Sequence, residues 1–325
     1  MNAQFQIWNE DCIRGLQARI PDDSVHLTVT SIPFEELFTY SGKLEDVGNN
    51  GSTVDIRAGR FALNMRFVVA QLFRVTAPGC NVCIHIQQLL AYKNQHGFMG
   101  RRDFRGAMID VFGAVGFHFT GEFAIQKNPQ AMANRLNLHS LQFATGYARK
   151  AQNLAPCPND YVLIFQKPGE AEYPVRPLIH AKNPNGWMTL NEWVRDAHGI
   201  WTDILEINVL DGARSNKLKE SEHEKHVCPL QLEVIRRLVR LYSNPADVQP
   251  STTVLDPFMG IGTAWVCLGG ESPVTKLRVE KPRNVIGFEL KESYFKQAVE
   301  NAETAEQNAT KQEEEEMPLL AGLSA

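Results

Sequence analysis

The chain has 325 residues, 43% of them hydrophobic, with a formal net charge of −4 and a pI near 6.2. That length buries a full core, as one large α/β domain or a domain with an elaboration. The acidic balance excludes a nucleic-acid partner gripped by bulk charge, so any such contact has to be local. No run approaches the roughly 18–20 apolar residues that span a bilayer. The N-terminal stretch MNAQFQIWNEDCIRG has no signal-peptide core, so a soluble, cytoplasmic protein without a membrane partner is expected.

The first clear element is residues 25–30, β-branched and alternating, which reads as a strand ending at Ser31-Ile32-Pro33-Phe34. A polar loop over 40–52 leads to a helical pattern over 60–74. Pro78-Gly79 reads as a turn into a strand over 80–86. Residues 107–115 read as a helix, and 117–125 and 160–165 as strands. From 167 to 219 the texture becomes irregular, rich in proline and holding Trp187, Trp193 and Trp201. Those tryptophans suit either a small core under the insertion or stacking platforms. Pro229 reads as the opening of an amphipathic helix. The strand Thr253-Val254-Leu255 precedes a Gly-rich turn, and 285–289 is the next strand after a polar stretch over 271–283. A charged helix over 291–307 runs into an acidic tail around 313–316, read as a frayed terminus.

The six cysteines are scattered. Cys80 and Cys83 form the one close pair, and strand alternation points them to opposite faces, which is wrong for a shared metal. His223 and His226 have no matching Cys or His pair nearby. No metal is expected.

Two strand ends carry candidate chemistry, and in an open α/β sheet ligands gather at such ends. One is the turn Asp256-Pro257-Phe258-Met259-Gly260-Ile261-Gly262-Thr263. An apolar strand feeding an acidic, Gly-rich turn and a helix builds a pocket for an adenosine-like ligand, the glycines letting the backbone approach it. The dinucleotide fingerprint is absent, because its third glycine position holds Trp265.

This turn resembles the S-adenosyl-L-methionine loop of DNA amino-methyltransferases, and Ser31-Ile32-Pro33-Phe34 resembles their catalytic tetrad, [DNS]-P-P-[YF]. The tetrad comes first, the order of the β class. Asn9-Glu10-Asp11-Cys12, Arg74-Val75 with Pro78-Gly79, and His226 to Leu230 resemble further family segments, and 199–263 resembles phage- and prophage-borne members in particular. The resemblance implies a Rossmann-like α/β methyltransferase fold, with a mostly parallel central sheet and an irregular insertion. It also implies methylation of double-stranded DNA in a phage or restriction-modification setting, and a homodimer in keeping with β-class relatives. The implied division is a catalytic half at 1–166, an insertion and candidate target-recognition region at 167–221, a cofactor half at 222–307 and an acidic disordered tail at 308–325.

The chemistry suits these residue types. The exocyclic amine of adenine or cytosine is a poor nucleophile, so a site needs acceptors that take its two hydrogens and aim the nitrogen. Ser31 Oγ and the Ile32 carbonyl are the expected acceptors, with Pro33 holding the turn and Phe34 stacking on a flipped base. Ile32 stands where the family has proline, leaving open a degenerate, non-catalytic copy. The cofactor is expected on Asp256, Pro257, Phe258, Gly260, Gly262 and Thr263, with Glu289 on the ribose and Asp11 on the adenine amino group. Taken singly, Asp256 and Asp11 also read as helix caps and Glu289 as a surface acid. Ser31 leans toward cytosine-N4, whereas the prevalence of adenine-N6 enzymes puts adenine-N6 first. Arg101, Arg102 and Arg105, and Lys127, Arg135, Arg149 and Lys150, are candidate phosphate contacts or a solvated face.

Overall fold

The structure, a computed structural model, describes residues 3–34, 46–48, 55–136, 156–210 and 229–321, the side chains of 133–136 and 310–321 excepted. The first half runs β1 (Phe5–Trp8), α1 (Cys12–Arg19), β2 (Val25–Ser31), α2 (Arg60–Val75), β3 (Thr76–Gln87), β4 (Leu89–Ala91), α3 (Lys93–His96), β5 (Gly100–Arg102) and α4 (Phe104–Val115). It continues with β6 (His118–Ile125), α5 (Pro129–Leu136) and β7 (Asp160–Gln166). Then come α6 (Leu190–Asp196), β8 (Ile200–Trp201), α7 (Leu232–Tyr242), β9 (Thr253–Asp256), α8 (Thr263–Cys267), β10 (Asn284–Phe288) and α9 (Glu292–Ala321).

An 8-stranded sheet has the order β1-β10-β9-β2-β3-β7-β6-β8, and β4 pairs with β5 alone. Strands β1 through β3 in that order are parallel, and β7 lies antiparallel between β3 and β6. Successive side chains leave opposite faces of a strand. Cys83, Ile164 and Val254 therefore enter one core with Val234, Ala264 and Ala298 of α7, α8 and α9. Their neighbours Val82, Leu163 and Leu255 enter the other, with Leu16, Met65 and Met108 of α1, α2 and α4. Helices cover both faces, so the central strands read as near-continuous apolar runs. The mostly parallel α/β fold expected from the sequence is the one observed.

The chain order reverses between β2 and β9, which pair at Leu27↔Val254 and Thr28↔Leu255. Strands β3, β7, β6 and β8 lie to one side and β10 and β1 to the other. Such a switch point opens a crevice at the carboxyl ends of the two strands. Ser31 and Asp256 end those strands.

Several elements differ from expectation. Strand β3 starts at Thr76, and Pro78-Gly79 is a kink inside it: Gly79 has φ +73°, and the pairing with β2 jumps from Val25↔Thr76 to Leu27↔Asn81. The final helix continues to Ala321 instead of fraying at 307, in keeping with its Glu, Gln, Lys, Ala and Leu content. Of the expected loop over 40–52, only 46–48 lie within the described residues; His223, His226 and Cys228 lie outside them. Among the described residues, no helix is long and apolar enough to cross a membrane.

Helix α7 begins at Leu232, not at Pro229, and is buried along 232–241 on its charged face as well. The insertion covers that face through a dense ion network. Arg236 and Arg237 bind Glu233 at 2.7 and 2.9 Å, Arg237 binds Asp203 at 2.5 Å, and Arg240 binds Glu192 at 2.7 Å. Asp196, fully buried, lies 3.3 Å from Arg240. The irregular texture hides a helix, α6, started by a capping box of Thr189 and Glu192. Trp201 stacks on Phe123 at 4.4 Å between ring centroids and donates to the Asp196 carbonyl at 3.0 Å. Trp187 donates to the Arg240 carbonyl at 2.8 Å. Both are core residues, whereas Trp193 is 37% exposed.

Removing Trp201 as Trp201→Ala is expected to cost about 3–5 kcal/mol by urea denaturation. Trp193→Ala should stay within about 0.5 kcal/mol of the parent chain. Equal losses in the two variants would contradict the core assignment.

Candidate active site

The crevice at the switch point is a cleft of ≈ 1120 Å³ including its open mouth. Both strand-end motifs line it: Ser31 to Phe34 from one side, and Asp256 to Thr263 from the other. Asp11, Glu289 and Pro229-Leu230, just before α7, complete it. The sequence-expected tetrad and cofactor residues are thus brought together.

Asp256 is the centre of the contact between the two loops. Its carboxyl group accepts from the Thr30 hydroxyl at 2.6 Å and the Thr263 hydroxyl at 2.5 Å. The Phe258 N–H adds a third bond at 3.0 Å. Burial pushes its pKa up from 3.8 to about 6, against these three donors. Glu289 follows β10 and accepts from the N–H of Gly260 at 2.9 Å and of Lys291 at 2.9 Å. Burial raises it from 4.5 to about 7; the two N–H donors oppose the rise and the nearby Asp256 charge adds to it. Each carboxyl oxygen has more than one acceptor site, so Glu289 keeps capacity for a ligand.

Gly260 has φ +52°, and a Cβ built there would meet nothing within 4 Å. The loop thus leaves open space at the position where a ligand would contact backbone. Asp11 caps α1, accepting from the Arg14 N–H at 3.0 Å, and also lines the cleft. Asn9 fastens the other wall by donating to the carbonyl of Glu289 at 2.8 Å.

In the tetrad, Ser31 is half-buried, while Ile32 and Phe34 are buried. The Phe34 ring lies 6.0 Å from His85 and 6.3 Å from Phe104. Ser31 Oγ is 3.0 Å from His85 Nδ1, and His85 Nε2 is 3.2 Å from Asp160 Oδ2. Sequence reasoning missed His85 and Asp160. The available signal was a histidine near the carboxyl end of an otherwise apolar strand, where ligand-facing groups of α/β sheets sit.

The expected phosphate contacts fare differently. Arg102 is buried and donates to the Leu90 carbonyl at 3.1 Å. Arg105 binds Glu122 at 2.5 Å. Lys127 is buried against Asp160 at 3.0 Å. Arg102 and Lys127 serve contacts inside the protein, whereas the Arg105–Glu122 pair is partly exposed. Arg101 is half-buried. The Arg135 side chain, and Arg149 and Lys150, lie outside the described residues.

The fold and its switch-point cleft define a methyltransferase-type α/β protein. A family model for DNA methylases matches residues 25–300. A DNA modification methylase assigned in Thermus thermophilus, solved with S-adenosyl-L-methionine, superposes with a TM-score of 0.60 at 19% identity, over 93% of this chain and 94% of that one. PvuII DNA methyltransferase, cytosine-N4-specific, gives 0.58 at 16% identity, over 93% and 87%. At such identities the structural likeness speaks for the fold alone. No curated protein matches the chain significantly. The family match decides the identity: the chain belongs to the DNA methylases that act on adenine-N6 or cytosine-N4, and its cofactor is S-adenosyl-L-methionine.

The two raised carboxyls predict a pH effect on stability. The folded protein keeps protons at Asp256 and Glu289 up to about 6 and about 7. The unfolded chain loses them at about 4. Their contribution is greatest below the unfolded values and is lost as pH rises through the folded ones. Glu289→Gln should flatten the fall in melting temperature between about pH 5 and 8. A variant curve parallel to the parent's across that range would refute the raised value.

Proposed function

We propose that this chain transfers a methyl group to the exocyclic amine of a base flipped out of DNA, with Ser31 to Phe34 holding the base and the Asp256–Thr263 loop with Glu289 holding the cofactor. The observation that carries this reading is the cleft itself, which joins both motifs at one switch point. Its charge supports the same ligand. Among the described residues, Glu10, Asp11, Asp46, Asp256 and Glu289 line it, against Lys291 alone among lysines and arginines. Such a wall suits a cationic ligand and repels the pyrophosphate of a dinucleotide.

When bound, S-adenosyl-L-methionine supplies an electrophilic methyl group carried on a positive sulfonium. The residues present fit it: acceptors at Glu289, and a loop at Gly260 with space where a side chain would intrude. The remaining work falls to the tetrad. Ser31 Oγ and the Ile32 carbonyl would take the two amino hydrogens, drawing electron density onto the nitrogen and fixing its direction. Phe34, at the base-facing end of the turn, would move off His85 to stack on the flipped ring. Ile32 still precedes Pro33, which biases it to extended geometry and keeps its carbonyl available. We take adenine-N6 as the leading target. Ser31 in place of aspartate supports cytosine-N4 as the second reading.

Ser31→Ala is expected to lower kcat on duplex DNA by roughly 10²–10³-fold while cofactor affinity by calorimetry stays near the parent value. Glu289→Ala should do the reverse first, weakening cofactor binding. Digestion of methylated DNA to nucleosides, read by mass spectrometry, identifies the base. Full activity in Ser31→Ala would remove the tetrad from the mechanism.

A further inference from the structure

Behind Ser31 lies a buried chain of polar groups that the base-holding reading does not use. It crosses four neighbouring strands at one edge of the sheet. Ser31 ends β2 and is the register partner of His85 in β3. Asp160 opens β7 and is the register partner of Ile125 in β6, two residues before Lys127. The links measure 3.0 Å from Ser31 Oγ to His85 Nδ1, 3.2 Å from His85 Nε2 to Asp160 Oδ2, and 3.0 Å from Lys127 Nζ to Asp160 Oδ2. The side chains of His85, Asp160 and Lys127 are 8%, 7% and 2% exposed.

The donors and acceptors in this chain have a direction. Burial works against ionisation of Asp160, but the hydrogen bonds it accepts from His85 and Lys127, together with the Lys127 charge, outweigh it and hold its pKa below the ordinary value. An ionised carboxylate only accepts. The His85 nitrogen facing it must therefore carry a proton, which is Nε2. Lys127 supplies the cation that pairs with Asp160, at 3.0 Å. In neutral imidazole with Nε2 protonated, Nδ1 is an acceptor. Ser31 has one hydrogen to give, and in that form of the ring Nδ1 takes it.

We propose that His85, locked by Asp160 and Lys127 with its proton on Nε2, is a positioning residue that makes Ser31 Oγ an acceptor-only group toward the cleft, and thereby a selector for an amino-bearing base edge over a carbonyl-bearing one. The proposal rests on the reading of Ser31 as a holder of the base amine. A base presenting a carbonyl at that position meets oxygen lone pairs with no hydrogen between them. A serine free to rotate would accept either edge by turning its hydroxyl. The histidine removes that freedom. The same lock discriminates between adenine and hypoxanthine, and between cytosine and uracil.

The test uses the full chain labelled with ¹⁵N. Ring spectra of His85 at neutral pH should show Nε2 protonated and Nδ1 bare. In the double variant Asp160→Leu, Lys127→Met, which swaps the ion pair for apolar groups of similar size, the ring should populate both tautomers. Duplex DNA carrying hypoxanthine for adenine, or uracil for cytosine, at the position the parent enzyme methylates is the binding probe. The parent should prefer the amino base by about tenfold or more. His85→Phe and the double variant should each narrow that preference to about threefold, with cofactor affinity unchanged. Protonated Nδ1 in the parent, or undiminished preference in both folded variants, overturns the proposal. Full methylation by Ser31→Ala alongside the expected tautomer would instead sink the base-holding reading, leaving the lock itself standing.

Discussion

The buried carboxyl of Asp256 is the contact on which the rest of the site depends. Strand β2 carries the tetrad and β9 carries the Gly-rich loop, and the two strands pair only at Leu27↔Val254 and Thr28↔Leu255. Past that point the backbones diverge into separate loops. Asp256 reaches across the divergence, taking the Thr30 hydroxyl with one oxygen and the Thr263 hydroxyl with the other. Its isolation from water makes an unpartnered state expensive, so all three donors are held. The separation of tetrad and loop is thereby set by hydrogen-bond lengths and not by loop stiffness. Glu289 repeats the device one strand further on, tying Gly260 to the turn at Lys291.

A second constraint holds the insertion against the back of this site. Charged residues cover one side of α7, which on an exposed helix would face water. Here Asp196, Glu192 and Asp203 come from the insertion to meet Arg237 and Arg240. Buried ion networks of this kind stabilise weakly against an apolar alternative, yet losing one member is severe. They tie α6 to α7 through Arg240, which meets both Glu192 and Asp196. Trp187 and Trp201 fill the space between, each with its indole N–H donated to a carbonyl. The segment carrying α6 is thus part of the scaffold behind α7, which supplies Ile235 to the cleft.

Much of this is legible in the chain. The strands at β2, β7 and β10 are apolar runs between turn signals, and the Gly-rich turn and the tetrad announce themselves by local order. What stays hidden is pairing at a distance. His85 and Ser31 are separated by 54 residues, and Asp160 and His85 by 75, and nothing in either segment marks the register that joins them. The same blindness makes Lys127 and Arg102 read as surface cations. A lysine beside a polar loop looks solvated until the strand placing an aspartate over it is known. The charged face of α7 misleads in the opposite direction, since its partners lie in a stretch with no regular period. Asp11 and Asp256 show a third limit: each is open to a helix-cap and a ligand reading, and both line the cleft, but only Asp11 caps its helix, since Asp256 bonds Thr30, Thr263 and the Phe258 N–H and the helix after it is capped at Gly262.

The distance between Asp160 and the cleft has its own electrostatic logic. A carboxylate placed directly against Ser31 would orient the hydroxyl equally well, since it too is a pure acceptor. It would also add a charge beside Asp256 and Glu289, whose pKa values burial has already raised to about 6 and about 7. A further negative charge would push both higher, because like charges disfavour ionisation. Glu289 would then hold its proton over more of the neutral range and present one acceptor oxygen fewer there. Interposing a neutral imidazole transmits the direction of the hydrogen bond without transmitting the charge. Lys127 then cancels that charge on the far side, 3.0 Å from Asp160. The cleft keeps the acidic wall that suits a cationic ligand, and Ser31 keeps its orientation, because the two requirements are met by different residues.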